Sequence, residues 1–291
     1  MKHRPIFVQL AGGLGNQLFI WHYAHFLEKS SHLRIYLLDY YVEGDQRRCE
    51  LYPISVNCQH KIRILRMNNL INPFRIYDYV KSISENSSMA KFLSRFIYNC
   101  ETSHDTPLPS LLRGKLFVRG YYQDYVMASD SLRVTKIEID KHIDDVNLAE
   151  NTRDDTNYTQ VLHVRRGDFM ENEKTLGVLK DSYFTNNLQL NCPYIIHTDE
   201  NAAQKSSLFK NALRIYGDDN SPWLVLAHAS KAKVFIGSNS TLSWWAAMLN
   251  KVDDAIIKLP NPWYLSSPYP EALMNLSKAR YVKANFKGTN N

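Results

Sequence analysis

Short apolar runs alternate with segments of helical periodicity along most of the chain. A run at residues 6–10 ends in a glycine-rich turn, after which apolar residues recur at helical spacing, and a second apolar run follows at residues 34–39. This pattern predicts a β-strand, a glycine turn, an α-helix and a second strand, as at the start of a βαβ fold. Residues 116–118 predict a further strand, which leads into the turn Gly120-Tyr121-Tyr122-Gln123.

The alternation is clearest after residue 159. Strands separated by helices of ordinary length form parallel sheets, whose ligands bind beyond the carboxyl ends of the strands. The pattern therefore predicts an α/β protein. The predicted strands are at residues 160–164, 194–198, 213–216, 234–236 and 255–259, and the predicted helices at residues 181–190, 201–210, 222–230 and 241–249.

Two stretches depart from this alternation. Residues 60–110 carry scattered charges and isolated apolar residues, and they predict an irregular insertion. Residues 150–158 (ENTRDDTNY) are polar and lack apolar periodicity, which is typical of a linker. We therefore expect two domains, residues 1–150 and 151–291, a division that suits a chain of 291 residues.

Composition and charge narrow the class of protein. The net charge is +6, and the densest basic patch is Lys61, Arg63 and Arg66, which suits an anionic small substrate or an anionic membrane surface and gives little support for nucleic acid. No segment approaches 18 consecutive apolar residues, and the N-terminal apolar run is too short for a signal peptide. We expect a cytoplasmic protein that binds no nucleic acid. Its four cysteines have no ligand spacing, so we expect free thiols.

The stretch from His163 to Asp168 (HVRRGD) places two arginines and a carboxylate at the end of a predicted strand. The planar guanidinium group matches phosphate oxygens and can neutralise a leaving pyrophosphate without a metal ion. A solvated arginine pair with Asp168 as its salt-bridge partner is the alternative interpretation. The chain has no Asp-x-Asp sequence, so a divalent-metal site lacks its usual carboxylates and no metal ion is expected.

Three other strand ends carry polar residues. The glycine turn at residues 12–17 (GGLGNQ) lacks the dinucleotide and phosphate-loop fingerprints, although its backbone N–H groups can still approach an anion. Taken alone, this motif is explained better by a tight turn that Asn16 caps. At residues 197–200 (HTDE), helix capping explains the sequence as well as ligand binding does. Five small polar residues between 238 and 243 open an apolar helix, where hydroxyls and free N–H groups favour phosphate. Trp244 and Trp245 in that helix are expected to pack in the core, and stacking on a base or a sugar is the alternative interpretation.

Five segments together resemble the α1,2-fucosyltransferases of glycosyltransferase family 11. The resemblance implies a GT-B-like α/β fold of two Rossmann-like domains with an interdomain cleft, the C-terminal domain binding GDP-fucose and the N-terminal domain mainly the acceptor. It also implies inverting, metal-independent transfer of L-fucose to the 2-hydroxyl of a β-galactoside, with GDP-fucose as co-substrate and no cofactor. The segments are GGLGNQLF at 12–19, GYYQ at 120–123, HVRRGDF at 163–169, HTDE at 197–200 and NSTLSWWAAML at 239–249.

The resemblance further implies roles for individual residues. Arg165 binds the β-phosphate and stabilises the departing GDP, Asn16 orients the donor, and Arg166 and Asp168 order the site. Candidates for a general base are Glu173, Glu171 and Asp168, and a reaction without a dedicated base is the alternative. The donor-binding candidates are Gly13, Gly15, Gln17, His163, Arg166, Thr198, Asp199, Asn239, Ser240, Thr241 and Ser243.

The chain differs from the family pattern at two places. Residues 20–24 (IWHYA) stand where relatives usually continue with Gln-Tyr-Ala, and His197 opens HTDE where a Ser-Asp-Asp-like sequence is usual. Two alternatives stay open: a related transferase that uses another GDP-sugar, and a non-catalytic nucleotide-sugar or glycan-binding protein. The acceptor glycan, the guanine-recognising residues and the oligomeric state are not specified. A lipid-linked acceptor in bacterial surface-glycan (O-antigen) assembly would bring the protein to the cytoplasmic face of the inner membrane.

Overall fold

The chain divides into two compact units, Met1–Asp140 and Lys141–Asn291, in the computed structural model. Each unit contains one parallel β-sheet with helices around it, which confirms the predicted α/β, GT-B-like fold class of two Rossmann-like domains. The structure describes residues 4–31, 33–40, 48–55, 62–67, 72–84, 87–100, 106–151, 159–200, 206–266 and 276–288.

The first unit is built on five parallel strands: β1 (Pro5–Gln9), β2 (Arg34–Asp39), β3 (Arg63–Arg66), β4 (Ile97–Asn99) and β5 (Phe117–Arg119). Their order across the sheet is β3-β2-β1-β5-β4, so the direction of strand succession reverses between β1 and β5. Phe7 in the central strand stacks on the rings of Tyr36 and Phe117 in its two neighbours, at centroid distances of 5.3 and 5.5 Å. These cross-strand ring pairs help to hold the sheet in register.

Five helices belong wholly or partly to this unit: α1 (Leu14–Ser31), α2 (Tyr52–Ser55), α3 (Pro73–Ile83), α4 (Ser88–Ser94) and α5 (Tyr125–Asn151). α1 is apolar on nearly every side and is accordingly buried along most of its length. α3 begins where Asn72 accepts hydrogen bonds from two N–H groups of its first turn and Pro73 occupies the first helical position. The boundary between the two units falls within α5. The sequence pattern did not predict this helix.

Residues 60–110 differ from the irregular insertion that we expected. Their described part contains β3, α3, α4 and β4, and the two strands form the opposite edges of the first sheet. Strands of three or four residues are too short to show a clear period of two, so their apolar residues were indistinguishable from scattered ones. The stretch is therefore an integral part of the first unit.

The second unit is built on six parallel strands: β6 (Gln160–Val164), β7 (Tyr194–Thr198), β8 (Arg214–Tyr216), β9 (Val234–Gly237), β10 (Ile256–Asn261) and β11 (Ala279–Lys283). Every residue of β6, β7 and β9 is buried, as expected for parallel strands covered on both faces. The order across the sheet is β11-β10-β9-β6-β7-β8, which is the order of a doubly wound Rossmann sheet. Strand succession reverses between β6 and β9.

The helices of this unit are α6 (Glu173–Leu176), α7 (Asp181–Thr185), α8 (Ser207–Lys210), α9 (Trp223–Ser230) and α10 (Thr241–Met248). α7 is shorter than predicted. The buried side-chain amide of Gln160 binds the backbone that follows this helix: its oxygen accepts from the N–H of Gln189 at 2.7 Å, and its nitrogen donates to the carbonyl of Cys192 at 2.9 Å. Residues 201–205 of the helix predicted at 201–210, and residues 152–158 of the predicted linker, lie outside the described residues.

Across the described ranges, no helix combines the length and the apolar character needed to cross a membrane.

Candidate functional site

Three loops meet at the carboxyl edge of the second sheet, after the neighbouring strands β7, β6 and β9. They carry Asp199 and Glu200, residues 165–168, and residues 238–240, the last of which lead into α10. Ligands of doubly wound sheets bind outside the carboxyl ends of the strands where strand succession reverses, which here is between β6 and β9. We call these residues, with the first turn of α10, the switch-point site.

Ser238 joins the loops that follow β6 and β9. Its hydroxyl accepts a hydrogen bond from the backbone N–H of Arg165 at 2.8 Å and donates one to the carbonyl of His163. The backbone N–H of Ser238 donates to the same carbonyl at 3.1 Å. The two loops are therefore fastened to each other before any ligand binds. We did not predict this role, because a serine after a strand shows nothing of its partner in another loop.

Asp199 holds the arginine loop from the other side. One carboxylate oxygen, Oδ1, accepts from the backbone N–H of Arg166 at 2.7 Å, and Oδ2 lies 3.1 Å from Nε of Arg165. A Cβ atom at position 167 would lie 2.7 Å from Oδ2, so this close approach requires Gly167. Both oxygens of Asp199 are thus directed at the arginine loop, and this geometry supports a positioning role more than the direct donor contact that we expected.

The two adjacent arginines have different surroundings. The side chain of Arg165 is 25% exposed and pairs with Asp168 at 2.9 Å as well as with Asp199. That of Arg166 is only 4% exposed: Nη1 contacts Glu200 at 3.1 Å, Nη2 contacts Asp181 at 2.6 Å, and Nε donates to the carbonyl of Leu179. Arg165 is therefore the arginine placed to meet an anion, while the contacts of Arg166 support the ordering role.

The small polar residues before and within α10 also divide into two groups. Ser243 and Asn239 are fully buried: the hydroxyl of Ser243 lies 2.7 Å from Nδ1 of His163, and Asn239 donates to the carbonyls of Leu176 and Gly177 at 2.9 and 3.2 Å. Ser240 and Thr241 are half-buried, and the hydroxyl of Ser240 caps α10 by accepting from the N–H of Leu242. The start of α10 thus keeps the positive end of its dipole near the edge of the sheet.

Asn239 connects the loop after β9 to the end of α6. Its two bonds hold the end of α6, the helix that begins at Glu173. Glu173 is half-buried, whereas Glu171 is exposed.

Thr198, a donor-binding candidate, accepts a hydrogen bond from the backbone N–H of Glu200 through its hydroxyl at 3.1 Å. Trp244 and Trp245 are fully buried in edge-to-face contact, which confirms that they pack in the core.

His197, where the chain differs from the family pattern, lies inside the second unit. It is 2.9 Å from His228 and stacks on the ring of Tyr216 at a centroid distance of 4.8 Å.

Three buried histidines of this unit have lowered pKa values. Burial, followed by the charge of Arg165, lowers the pKa of His163 to about 4. Burial likewise lowers the pKa of His228 to about 3 and that of His197 well below its usual value. These three imidazoles are therefore neutral at neutral pH.

We expect acid to destabilise the protein through these buried histidines. The unfolded chain protonates histidine near pH 6.5, while the folded chain does so only near pH 4 or below, so the unfolded state binds more protons in this window. The free energy of unfolding should fall by up to about 1.4 kcal/mol per pH unit for each such histidine as the pH drops from 6.5 towards 4. Urea denaturation at a series of pH values measures this slope.

The matched variant is His228→Gln, which removes one buried imidazole. Its unfolding free energy should depend less steeply on pH between 6.5 and 4 than that of the wild type. Equal slopes in the two proteins would show that the buried histidines do not set the acid sensitivity.

In the first unit, the segments GGLGNQ and GYYQ also flank the point of reversal, after β1 and β5 respectively. Nε2 of Gln123 donates to Oδ1 of Asn16 at 3.0 Å, which joins the two segments. Gly12 has a φ of +72°, and a Cβ atom there would lie 2.5 Å from the amide nitrogen of Asn16. The turn therefore needs glycine both for its conformation and for this close approach.

Gln17 in the same turn is fully buried. Its amide nitrogen donates to the carbonyls of Gly12 and Arg48 at 3.0 and 2.8 Å, and its oxygen accepts from the N–H of Glu50 at 2.8 Å. These bonds support a structural role in place of the donor contact that we expected. Gly13 has open space around the position of a Cβ atom, and Gly15 lies in the first turn of α1.

The other departure from the family pattern, at residues 20–24, lies on buried positions of α1. His22 is fully buried, with Nδ1 2.7 Å from the carbonyl of Leu18 and Nε2 3.0 Å from the hydroxyl of Thr135. Because a carbonyl only accepts, Nδ1 carries the proton and Nε2 accepts from Thr135. Burial lowers the pKa of His22 to about 4. Trp21 is buried too, so this difference from the family concerns packing of the first unit.

Residues 5–270 match the sequence profile of Glycosyl transferase family 11. The chain is similar to the alpha-1,2-colitosyltransferase of Escherichia coli, with 26% identity over 302 residues covering 94% of this chain and 99% of that protein. It is also similar to the O-antigen biosynthesis glycosyltransferase WbnK of E. coli, with 25% identity covering 88% and 93%. The solved structure of E. coli ADP-heptose LPS heptosyltransferase II shares the fold, with a TM-score of 0.50, 10% identity and coverage of 96% and 90%.

Proposed function

Because this chain belongs to glycosyltransferase family 11, we propose that it transfers L-fucose from GDP-fucose to the 2-hydroxyl of a β-galactoside, with inversion at the anomeric carbon. The observation that carries the proposal is the position of Arg165. Its partly exposed guanidinium group stands at the edge of the second sheet where strand succession reverses, next to the loop that opens α10. A diphosphate bound there would meet a fixed cation and a helix N-terminus.

In the proposed reaction, the acceptor hydroxyl oxygen attacks the anomeric carbon on the face opposite GDP. The bond from that carbon to the β-phosphate oxygen breaks, and its electron pair leaves with GDP. Negative charge therefore grows on the diphosphate, where Arg165 and the N-terminus of α10 stabilise it without a metal ion. Donors fixed in advance at such a position typically contribute about 3 to 4 kcal/mol to lowering the barrier.

We further propose Glu173 as the group that accepts the proton of the acceptor hydroxyl. Asn239 ties the helix of Glu173 to the switch-point site, while Glu171 is exposed and Asp168 is paired with Arg165. A general base of this kind contributes about 10²- to 10⁴-fold in rate. Asn16, on the first unit, is proposed to orient the donor, with its side chain held by Gln123.

A second candidate donor is GDP-colitose, because the similar E. coli protein is named a colitosyltransferase. Colitose is fucose without its 3-hydroxyl, and an arginine that binds phosphate does not distinguish the two sugars. WbnK is named for O-antigen biosynthesis. We therefore propose a role in surface-glycan assembly, with a β-galactoside acceptor that is carried on a lipid.

The test is a transfer assay with purified protein, in which GDP-fucose, GDP-colitose and GDP-mannose are compared as donors. The acceptors are Galβ1,3GalNAc, Galβ1,3GlcNAc, Galβ1,4Glc and Galβ1,4GlcNAc. We expect fucose on O2 of galactose, with kcat/KM at least about 10²-fold above that for GDP-mannose. Excess EDTA should leave the rate unchanged.

The outcomes separate the alternatives. Preference for GDP-colitose would replace the fucose proposal and keep the arginine mechanism. Binding of GDP-fucose without transfer to any acceptor, or to water, would favour a non-catalytic binding protein. A loss of rate in EDTA that magnesium restores would contradict the metal-independent mechanism.

A further inference from the structure

The outer face of α3 is apolar. Ile76, Tyr79 and Ile83 follow one another at spacings of three and four residues, which places them on one side of the helix, and all three are exposed, Tyr79 and Ile83 by 69% each. Met89 and Phe92, three residues apart on α4, are exposed as well. We call these five residues the apolar stripe.

The apolar stripe is separate from the core of the first unit. α3 already buries Phe74, whose ring packs edge-to-face on Phe117 of the sheet at a centroid distance of 6.1 Å. α4 buries Ala90 in the same way. The stripe is therefore a second apolar surface that points away from the sheet, and a cluster of exposed apolar residues of this size marks an interaction site.

The segment that carries the stripe is basic. Residues 62–100 contain six lysines and arginines and two acidic residues, a net charge of +4, whereas the whole chain carries +6. Of the acidic residues, Asp78 is held by Arg119 through two contacts of 2.6 and 2.8 Å, and Glu85 lies outside the described residues. The basic residues on or beside the two helices are all exposed: Arg75, Lys81, Lys91 and Arg95.

We propose that α3 and α4 dock the protein on an anionic lipid bilayer. Apolar side chains of the stripe would enter the boundary of the acyl chains, the ring of Tyr79 would lie at headgroup depth, and the lysines and arginines would reach lipid phosphates. Helices that lie in a bilayer interface combine such an apolar face with flanking basic residues. A membrane presents negative charge along the whole basic rim, whereas a protein partner would need a shaped acidic surface to match it.

This inference does not rest on the identity of the donor sugar, and it is tested without any sugar. Purified protein is sedimented with vesicles of phosphatidylcholine alone and of phosphatidylcholine mixed with phosphatidylglycerol. We expect binding to the mixed vesicles that weakens as salt is raised, and little binding to the neutral ones. The variant Ile76→Ser/Tyr79→Ser/Ile83→Ser should bind the mixed vesicles at least about tenfold more weakly, since it removes most of the apolar surface.

The matched control replaces three exposed leucines of the second unit, as Leu148→Ser/Leu190→Ser/Leu213→Ser. It should bind vesicles like the wild type, and circular dichroism and GDP binding show that both triple variants are folded. The charge arm compares Arg75→Glu/Arg95→Glu, which should lose binding because these arginines flank the stripe, with Arg280→Glu, which should not.

Three results would overturn the proposal: no binding of the wild type to mixed vesicles, equal binding of the stripe variant, or equal binding to neutral vesicles. Gel filtration tests whether a second copy of this chain binds the stripe instead. A wild-type dimer that the stripe variant converts to a monomer, without vesicle binding by either, would assign the stripe to a second copy of this chain.

Discussion

Arg165→Ala is expected to lower kcat of sugar transfer by about 10²- to 10³-fold while the protein remains folded. The side chain is the partly exposed arginine of the switch-point site, and its removal would leave the charge that develops on the departing diphosphate without a fixed cation. The effect on stability should be moderate, about 1 to 3 kcal/mol. The accessible pair with Asp168 contributes little, whereas the buried carboxylate of Asp199 loses its contact with Arg165 and keeps the N–H of Arg166. Steady-state kinetics and urea denaturation of the same preparation measure both quantities.

Two further variants sharpen this test. Arg165→Lys keeps the positive charge and loses the planar fork of donors, so its kcat should lie between those of the wild type and Arg165→Ala. Arg280→Ala removes an exposed arginine of β11 and should leave kcat unchanged. If folded Arg165→Ala transferred sugar at nearly the wild-type rate, the proposed mechanism would be wrong.

The neighbouring substitution Arg166→Met should act on stability, lowering the free energy of unfolding by about 3 kcal/mol or more. Arg166 is almost fully buried, and methionine fills similar space while removing the donor that Arg166 supplies to Asp181, Glu200 and the carbonyl of Leu179. The cost is largest for the carbonyl and for Glu200, which are the less accessible partners. Urea denaturation monitored by tryptophan fluorescence measures the change.

Neutralising the partners should restore part of the loss. Asp181→Asn/Glu200→Gln in the Arg166→Met background neutralises two carboxylates that have lost the Arg166 cation, so the triple variant should be more stable than Arg166→Met alone. An unchanged unfolding free energy in Arg166→Met would show that the buried guanidinium group contributes nothing net.

The family resemblance implied different roles for these two adjacent arginines, but the contacts that separate them could not be predicted from the sequence. The strands that carry the site were predictable, because β6, β7 and β9 each contain a short run of apolar residues. The partners of the arginines follow other strands: Asp199 lies 33 positions from Arg166, and Ser238 lies 73 positions from Arg165. Local periodicity contains no information on such long-range pairs.

The sequence did not show helix α5 or the structural roles of Asn239 and Gln17, and each omission has a physical reason. α5 exposes Val126, Ile137 and Leu148, so apolar residues occur on its outer face and blur the helical period. Asn239 and Gln17 belong to motifs that suggested ligand contacts, yet their side chains form hydrogen bonds with backbone groups of neighbouring loops. Composition near a strand end shows that a polar residue is needed there, and only the fold shows whether it serves a ligand or the backbone.

The pairing of Arg165 with Asp168 affects how tightly anions bind at the switch-point site. Asp168 is tethered three residues away, so it acts as an internal competitor for every ligand that approaches the guanidinium group. An exposed pair worth about 1 kcal/mol reduces the affinity for a single anion about fivefold. Inorganic phosphate or chloride must overcome this competition with one contact, whereas a diphosphate that also reaches the start of α10 gains a second. The carboxylate thus weakens the binding of every anion by the same factor, and only a ligand with a second contact, such as the proposed nucleotide diphosphate, would offset this loss.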